Sequence, residues 1–185
     1  VVVLMGDGDC ATIGGNHFIH AARRNIDLTA IVVNNLNYGM TGGQYSATTP
    51  EGSNTSTSPL GSLEPAFDLC ELAKAAGASY VARSTPYHVQ QLQGFIKEAI
   101  GKKGFSLVDV MSICPTHYGR RNKLAAPAEM MGWLRDHGVS EKAYAALTPE
   151  QQAKAFCIGK FVDRDRVDLS TKYAALQARV RQAVK

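Results

Sequence analysis

Short apolar runs alternate with amphipathic segments along most of the chain. Continuous apolar runs of this length are typical of strands that are buried on both faces of a parallel sheet. They fall at residues 1–5, 28–33, 78–83 and 105–113. Apolar residues recur at helical spacing over residues 14–25, over residues 65–77 and from Thr85 onward. Strands that alternate with helices predict an α/β fold, with an open, mostly parallel sheet and helices on both of its faces.

Local signals predict the ends of two of these helices. In the helix predicted over residues 65–77, Phe67 and Leu69 contribute to a wide apolar face, and Gly77 is the expected stop. Glycine is common there because it readily adopts the left-handed conformation that ends many helices. Thr85 is the expected N-cap of the next helix, with Pro86 in its first turn.

The pattern changes from about Arg120. The expected elements are a short helix over residues 124–138, a capping box at Thr148-Pro149-Glu150-Gln151, a short edge strand over 156–163 and a terminal amphipathic helix over 169–184. We therefore predict one domain over residues 1–123 and a mainly helical C-terminal appendage over residues 124–185. We expect this appendage to pack on the core or on a neighbouring subunit.

A long polar segment separates the second predicted strand from the next helix. From Thr41 to about Leu63 the chain is rich in Ser, Thr, Gly and Pro. Segments of this length without helices or strands are uncommon in compact domains unless they have a function. We expect residues 41–63 to form a lid or a subunit-contact loop.

Composition restricts the class of protein. The chain has 185 residues, of which 45% are apolar and 19% are charged, as in an ordinary globular α/β domain. No stretch comes near the roughly 20 apolar residues that span a bilayer, so we expect no membrane insertion and a cytoplasmic location. The net charge of +4 is small and the basic residues are dispersed, which argues against a nucleic acid partner.

The chain opens inside an apolar run that we predict to be a central strand. It begins with Val1, without an initiator methionine and without a signal-like segment. We therefore expect that the natural protein has a segment upstream of Val1.

Polar residues close the first two predicted strands. Gly6-Asp7-Gly8 follows the first strand, and Asn34-Asn35 follows the second. Adjacent parallel strands end at the same edge of a sheet, where α/β proteins bind their ligands, so a carboxylate and a carboxamide are expected side by side. Such oxygens are the ligands that Mg²⁺ uses when it binds a diphosphate. Each motif alone is also an ordinary turn sequence, but their combination at two strand ends favours a metal site.

A dinucleotide-binding interpretation competes with this one. Its G-x-G-x-x-G pattern would use Gly6 and Gly8, with Ala11 in the third position. In that class the second strand ends in an acidic residue that binds the ribose. Asparagines stand there instead, so we disfavour a dehydrogenase of this type.

Several other candidate groups have ordinary explanations. His17 and His20 lack acidic neighbours, and we expect them to pack or to make a core hydrogen bond. The cysteines form no CxxC pair, which argues against a disulfide framework. Cys10 is interpreted as a small residue that fits a crowded loop. Cys70 and Cys157 are expected in the core.

Cys114 differs because it ends a predicted strand at the same edge as Asp7. It precedes Pro115, and a turn residue is its ordinary interpretation. A basic cluster follows it, made of His117, Arg120, Arg121 and Lys123. This cluster is either a solvated loop or a dock for an acidic electron carrier or an anionic acyl carrier.

Motifs spread over most of the chain match one family. They are Gly6-Asp7-Gly8-Asp9, Ile13-Gly14-Gly15-Asn16-His17, Arg23-Arg24-Asn25, the run from Asn34 to Gln44, Cys114-Pro115-Thr116 and Gly119-Arg120-Arg121-Asn122. Ile158-Gly159 and Asp163-Arg164 match more loosely. Together they resemble the β subunit of the 2-oxoacid:ferredoxin oxidoreductases, and its 2-oxoglutarate branch in particular. The segment Tyr38-Gly39-Met40-Thr41-Gly42-Gly43-Gln44 separates this family from most other thiamine enzymes.

The resemblance implies a thiamine-diphosphate-binding fold and a reaction. A 2-oxoacid is decarboxylated oxidatively with coenzyme A and oxidised ferredoxin, which gives acyl-CoA, carbon dioxide and reduced ferredoxin. Asp7, Asn35 and the carbonyl of Asn37 hold Mg²⁺ by carry-over from the motif. The backbone of Gly6, Gly8, Asp9 and Cys10 cradles the diphosphate, and Gly39 and Thr41 line the same site.

The resemblance also implies partners. An α subunit supplies the pyrimidine-binding domain in an αβ or (αβ)₂ assembly, so the chain alone should be inactive. In the family a [4Fe–4S] cluster is held by the counterpart of Cys114 and by cysteines upstream of the first strand, which this sequence lacks. Some archaeal relatives have a lysine where this chain has Gly42. A second interpretation is a cofactor-binding module with a regulatory or scaffold role.

Overall fold

The computed structural model describes residues 1–183. Its strands are β1 (Val2–Gly6), β2 (Leu28–Asn34), β3 (Tyr80–Ser84), β4 (Phe105–Met111), β5 (Gly138–Ser140) and β6 (Phe156–Asp163). Its α-helices are α1 (Gly15–Arg24), α2 (Leu69–Ala76), α3 (Val89–Gly101), α4 (Pro127–His137), α5 (Glu141–Ala145), α6 (Pro149–Gln152) and α7 (Leu169–Ala183). Two π-helical segments, Gly8–Ile13 and Pro115–Gly119, follow β1 and β4.

The strands form one mixed sheet in the order β1-β2-β4-β3-β6-β5. The first four neighbours in this order run parallel, and β6 runs antiparallel to β3. Helices α1 and α2 pack on one face of the sheet, and α3 packs on the other. The predicted fold class, an open and mostly parallel sheet with helices on both faces, is confirmed.

The first strand lies at the end of the sheet that the described residues form. β1 lies at one end of the described sheet and pairs only with β2, because β4 and β3 add on the far side of β2. Val2 and Leu4 on β1 are therefore 50% and 70% exposed. An apolar run of this kind predicts a strand, but it does not specify the neighbours of that strand.

Two predicted helix starts are wrong. α2 begins at Leu69 and not at residue 65, because Asp68 caps it by accepting from the backbone N–H of Glu71 at 3.0 Å. Phe67 lies before the cap and is 52% exposed, and its N–H donates to the carbonyl of Ala47. Gly77 ends the helix with a φ of +96°, as expected.

Thr85 caps a turn and not a helix. Its hydroxyl accepts from the backbone N–H groups of Tyr87 and His88, and α3 begins only at Val89. The Thr-Pro pair thus initiates the chain reversal that leads into the helix.

The C-terminal part of the chain contributes to the same sheet. β6 covers residues 156–163 as predicted. It pairs with both β3 and β5, so the prediction that it is an edge strand of the sheet is wrong. The capping box at Thr148 is confirmed, since Thr148 and Gln151 each accept from the backbone of the other. The boundary at residue 123 stays a prediction.

α7 ends the described chain. None of its residues is buried, and Leu169, Tyr173, Leu176 and Val180 are 40–60% exposed. The last residue of the predicted terminal helix, Val184, lies outside the described residues. In residues 1–183 no helix combines the length and the apolar character that a membrane crossing requires.

Asn25 joins three separate parts of the chain. It follows α1 in the left-handed conformation, with a φ of 54°, and is 1% exposed. Its Oδ1 accepts from the Ser79 hydroxyl at 2.8 Å and from the Phe105 N–H at 2.9 Å. Its Nδ2 donates to the carbonyls of Arg166 and Val167, both at 3.3 Å. One side chain therefore fixes the starts of β3 and β4 and the segment that leads into α7.

Replacing Asn25 with Ala should strongly destabilise the fold. The change removes four hydrogen bonds, leaves buried partners unsatisfied and replaces asparagine, which tolerates the left-handed conformation, with alanine, which tolerates it less well. The total loss should be about 3 kcal/mol. Urea unfolding measures this loss. Asn25→Gly is the control for backbone strain and should lose about 1 kcal/mol less than the Ala variant. An Ala variant as stable as the parent would refute this role of Asn25.

Candidate cofactor and metal site

The ends of β1 and β2 bring the predicted metal ligands together. The two strands are parallel, with Gly6 opposite Val33, so Asp7 and Asn35 follow them at the same edge of the sheet. The backbone N–H of Asn35 donates to Oδ1 of Asp7 at 3.1 Å. The expected proximity of the carboxylate and the carboxamide is confirmed.

Asp7 is a buried carboxylate that accepts hydrogen bonds from several donors. It is 1% exposed, and its Oδ2 accepts from the hydroxyls of Ser46 at 2.5 Å and Thr48 at 2.6 Å. Burial raises the pKa of Asp7, and the bonds from Ser46, Thr48 and Asn35 oppose this rise. A buried carboxylate that is only partly compensated by hydrogen bonds gains from a cation nearby.

One terminal atom of the Asn35 side chain faces three oxygens. It lies 3.2 Å from Oδ1 of Asp7, 3.1 Å from Oδ1 of Asn37 and 2.5 Å from the carbonyl oxygen of Asn37. An amide nitrogen here would have two N–H groups for three acceptors. The amide oxygen here also accepts from the Asn37 N–H at 3.4 Å, and it completes a set of four facing oxygens. Neighbouring ligands of octahedral Mg²⁺ are about 3 Å apart, so the separations of 3.1 and 3.2 Å in this set fit the ion.

Asn37 provides a further sign that this pocket is polar. Its side chain is 3% exposed, and its Nδ2 has no hydrogen-bond partner within the described residues. A buried amide without a partner is unfavourable unless a ligand or water satisfies it. The unsatisfied donor lies beside the oxygen set, where an anionic group such as a diphosphate would accept from it.

Glycines allow the backbone to approach closely around this site. A β-carbon on Gly8 would lie 2.3 Å from the Tyr38 ring, and the Tyr38 hydroxyl donates to the Gly8 carbonyl at 3.1 Å. A β-carbon on Gly39 would lie 3.2 Å from the Cys114 sulfur and 3.5 Å from Asn35 Nδ2. The loops after β1, β2 and β4 therefore touch one another at this edge.

The side chains of Asp9 and Cys10, two of the residues whose backbone is predicted to bind the diphosphate, have different environments. Asp9 is exposed, and its carboxylate accepts from the Gly6 N–H at 3.4 Å. Cys10 is 2% exposed, and its side chain packs in the main core. Burial, followed by the charges of Asp109, Asp7 and Asp9, raises the pKa of Cys10 to about 12. The thiol is therefore protonated at neutral pH, and only the backbone of Cys10 is suited to a phosphate.

Thr41 lies in an exposed turn. Its hydroxyl donates to Oε1 of Gln44 at 2.8 Å, and the Gln44 amide donates back to the Thr41 carbonyl at 3.1 Å. Gly42 and Gly43 permit this turn with positive φ angles. A β-carbon on Gly43 would lie 2.5 Å from the His117 side chain, so the turn packs against the segment that follows Cys114.

Cys114 is buried at the ligand edge, apart from the other cysteines. It is 8% exposed and lies against Gly39. Cys10 and Cys70 belong to the main core, and Cys157 is half-buried on β6. Within residues 1–183, no three His, Cys, Asp or Glu side chains are grouped closely enough to bind a metal. Among the cysteines of residues 1–183, Cys114 is the one that packs in the separate apolar cluster at this edge, with Leu36 and Met111.

The expected packing of the two histidines is wrong. His17 and His20 are exposed, because α1 buries Phe18 and Ala22 and turns the histidines away from the core. Nδ1 of His20 accepts from Arg23 at 3.2 Å.

Three buried hydroxyl residues close to Asp7 were not predicted from the sequence. Ser46, Thr48 and Thr49 are 2–3% exposed, and the first two bind Asp7 directly. Thr49 accepts from the Ser46 N–H and donates to the Leu36 carbonyl. The cluster of small hydroxyl residues before Pro50 was the available signal, but their contact with Asp7 depends on how the loop folds back.

Comparisons with known proteins identify thiamine-diphosphate-binding relatives. Residues 1–110 match the family described as thiamine pyrophosphate enzyme, C-terminal TPP binding domain. The 2-oxoglutarate synthase subunit KorB of Methanothermobacter marburgensis is 50% identical over 169 residues, 91% of this chain and 59% of its own. The same subunit of Methanocaldococcus jannaschii is 50% identical over 166 residues, 90% of this chain and 62% of its own.

A solved structure shares the fold. It is a 2-oxoglutarate:ferredoxin oxidoreductase from Magnetococcus marinus with 2-oxoglutarate, coenzyme A and succinyl-CoA bound. Its TM-score is 0.79 at 29% identity, over 97% of this chain and 62% of that chain. The chain thus spans about three fifths of the length of these relatives. Half of the aligned residues are identical to those of the curated KorB subunits over nine tenths of this chain. Because residues 1–110 are more than half of the chain, the chain belongs to the family of thiamine pyrophosphate enzymes, C-terminal TPP binding domain.

Proposed function

We propose that this chain is the cofactor-binding part of a β subunit that takes part in the CoA-dependent oxidative decarboxylation of a 2-oxoacid. The oxygen set of Asp7, Asn35 and Asn37 at the ends of two parallel strands carries the proposal. The proposed substrate is 2-oxoglutarate, since the curated relatives are named for it and the solved relative was captured with it. The proposed products are an acyl-CoA, carbon dioxide and reduced ferredoxin.

The residues of this chain anchor and orient the cofactor. Oδ1 of Asp7, the side-chain oxygen of Asn35 and the carbonyl of Asn37 hold Mg²⁺, and the Mg²⁺ site holds the diphosphate. Phosphate oxygens bind to the backbone next to Asp7, at Gly6, Gly8, Asp9 and Cys10. Gly39 and Thr41 line the same site. Thiamine diphosphate supplies the stabilisation of negative charge that decarboxylation requires.

The chain alone should bind the cofactor weakly and show no turnover. Thiamine enzymes of this type complete the site with a pyrimidine-binding domain on a second subunit, and we propose that this partner covers the 41–63 loop. Met40, Leu60 and Leu63 in and beside that loop are 91–99% exposed, as expected for a contact surface without its partner.

The experiment combines calorimetry with an assay. Thiamine diphosphate and Mg²⁺ are titrated into the chain alone and into the chain with its partner subunit, and 2-oxoglutarate- and CoA-dependent ferredoxin reduction is followed in both. Cofactor binding with turnover only in the complex supports the proposal. Turnover by the isolated chain would refute the need for a partner. Tight cofactor binding by the chain alone, with no turnover in any mixture and any 2-oxoacid, would favour a scaffold.

Cys114 is the proposed ligand of a [4Fe–4S] cluster. Such a cluster needs four thiolates, and Cys10, Cys70 and Cys157 lie on other elements. The proposal therefore requires three further thiolates from outside residues 1–183. The close approach of Cys114 to Gly39 would place the cluster within electron-transfer distance of the cofactor.

Cys114→Ser in the full-length subunit should lose the cluster or alter it. Iron analysis and electron paramagnetic resonance of the variant against the parent measure this. Cys157→Ser is the matched control and should keep the iron content and the spectrum. A normal four-iron cluster with unchanged ferredoxin reduction in the Cys114 variant would reduce Cys114 to a turn residue.

The proposed electron acceptor docks beside Cys114. Arg120, Arg121 and Lys123 are exposed, and the ion pairs formed within residues 1–183 include none of them. Uncompensated basic groups steer acidic partners such as ferredoxin. The cytoplasmic location stays a prediction.

A further inference from the structure

We infer that Ser46 and Thr48 are positioning residues that hold Asp7 in its metal-ligating orientation, and that they thereby make the 41–63 loop respond to the cofactor. The inference rests on the proposed function, because it concerns the same Mg²⁺ site. It assigns a role to two buried hydroxyls that are not among the predicted ligands.

The two oxygens of Asp7 have different partners. Oδ2 accepts both hydroxyl hydrogens, from Ser46 at 2.5 Å and from Thr48 at 2.6 Å. Oδ1 accepts one backbone N–H and lies 3.2 Å from the Asn35 side-chain atom that also faces the oxygens of Asn37. A carboxylate whose second oxygen is saturated by two donors presents only the first to a metal. Ser46 and Thr48 therefore select one-oxygen ligation and fix its direction.

The hydroxyls can donate to Asp7 only while their own backbone is held in place. Ser46 is fixed through its N–H to Thr49, whose hydroxyl donates to the Leu36 carbonyl. The Ala47 N–H donates to the Thr12 hydroxyl at 2.8 Å. Residues 46–49 thus connect the loops that follow β1 and β2.

This arrangement couples Mg²⁺ binding to the opening of the segment that carries Ser46 and Thr48. When Mg²⁺ binds Oδ1, the Asp7 carboxylate is fixed, and the hydroxyl bonds to Oδ2 become harder to break. The segment that carries them should then open less often, so the cofactor protects the start of the loop. By linkage, a change that weakens the hydroxyl bonds must weaken Mg²⁺ binding.

The test replaces the hydroxyls without changing the shape of the site. Thr48→Val and Ser46→Ala are compared with the parent for the Mg²⁺ concentration that half-saturates thiamine diphosphate binding, in the enzyme with its partner subunit. Each should require about 10- to 100-fold more Mg²⁺, the usual effect of removing a residue that orients a metal ligand. Thr48→Ser keeps the hydroxyl and should restore the parent value.

Thr57→Val is the matched control in the same loop. The Thr57 hydroxyl accepts from the Tyr45 N–H and does not contact Asp7, so this variant should keep the parent Mg²⁺ requirement. Hydrogen exchange of residues 44–49 provides a readout apart from activity. Mg²⁺ with thiamine diphosphate should slow this exchange in the parent and much less in Thr48→Val.

The outcomes separate this inference from the proposed function. Folded Thr48→Val and Ser46→Ala variants with the Mg²⁺ requirement and exchange protection of the parent would overturn the inference and leave the proposed function intact. Loss of Mg²⁺ affinity in Thr48→Ser equal to that in Thr48→Val would also overturn it, because the hydroxyl would then be irrelevant. A parent enzyme whose thiamine diphosphate binding ignores Mg²⁺ would overturn both.

Discussion

Asp7→Asn should abolish Mg²⁺-dependent thiamine diphosphate binding while the fold persists. The substitution removes the one negative charge of the oxygen set. Loss of a residue that merely orients a ligand typically costs 10- to 100-fold in metal affinity, so loss of the ligand itself should cost roughly 100-fold or more. The amide keeps the shape of the side chain and a carbonyl that accepts from Ser46 and Thr48. Burial raises the pKa of Asp7, so removing the charge should not destabilise the protein without cofactor.

Calorimetric titration measures the loss of cofactor binding, and thermal unfolding tests whether the fold persists. Asp27→Asn is the control, because Asp27 lies at the other end of the sheet and pairs with Lys103. It should bind the cofactor as the parent does. Parent-like affinity in Asp7→Asn would show that the metal assignment is wrong.

Arg83→Met should be among the most destabilising single substitutions in the described chain. Arg83 is 5% exposed and donates from Nε to Asp109 at 2.8 Å and from both terminal nitrogens to Asp68, at 3.1 and 2.7 Å. Asp109 is fully buried, and one of its oxygens already lacks a partner. Removing one member of a buried ion pair leaves an uncompensated charge and costs about 3–5 kcal/mol.

The size of this loss should depend on pH. Burial raises the pKa of Asp109, and Arg83 opposes that rise. Without Arg83 the pKa of Asp109 rises further, so its protonated form is favoured in the folded state. The variant therefore loses the most stability above the folded pKa of Asp109 and regains part of it as the pH falls below that value.

Urea unfolding at neutral and mildly acidic pH measures both effects. The double variant Arg83→Met with Asp109→Leu should recover most of the stability, because no unpaired charge remains at Asp109. Arg135→Met, which breaks an exposed ion pair with Asp136, should leave the unfolding midpoint unchanged. An Arg83 variant that behaves like the Arg135 variant would contradict the account of this buried network.

The sequence was most informative where one local pattern decides the structure. The apolar runs specified the parallel strands, and the polar residues after two of them, Asp7 and Asn35, predicted which side chains meet. Gly77 and the capping box at Thr148 were predicted from the backbone conformations that these residues favour.

Features that depend on distant contacts were not predictable. The order of the strands in the sheet of residues 1–183 is not encoded by apolar runs. Arg83 and Asp109 interrupt apolar runs in the sequence, but only the pairing of β3 with β4 places them opposite each other. Ser46 and Thr48 reach Asp7 because the loop folds back across the site, a path set by contacts such as the one between Ala47 and Thr12.

The most direct test of the metal site is crystallographic. Crystals of the subunit with its partner, thiamine diphosphate and Mn²⁺ in place of Mg²⁺ would reveal the ion by its anomalous scattering. The account predicts one peak within about 2.3 Å of Oδ1 of Asp7, the side-chain oxygen of Asn35 and the carbonyl of Asn37, with the diphosphate completing the coordination. A bound cofactor whose metal lies elsewhere, or whose diphosphate avoids this edge of the sheet, would contradict it.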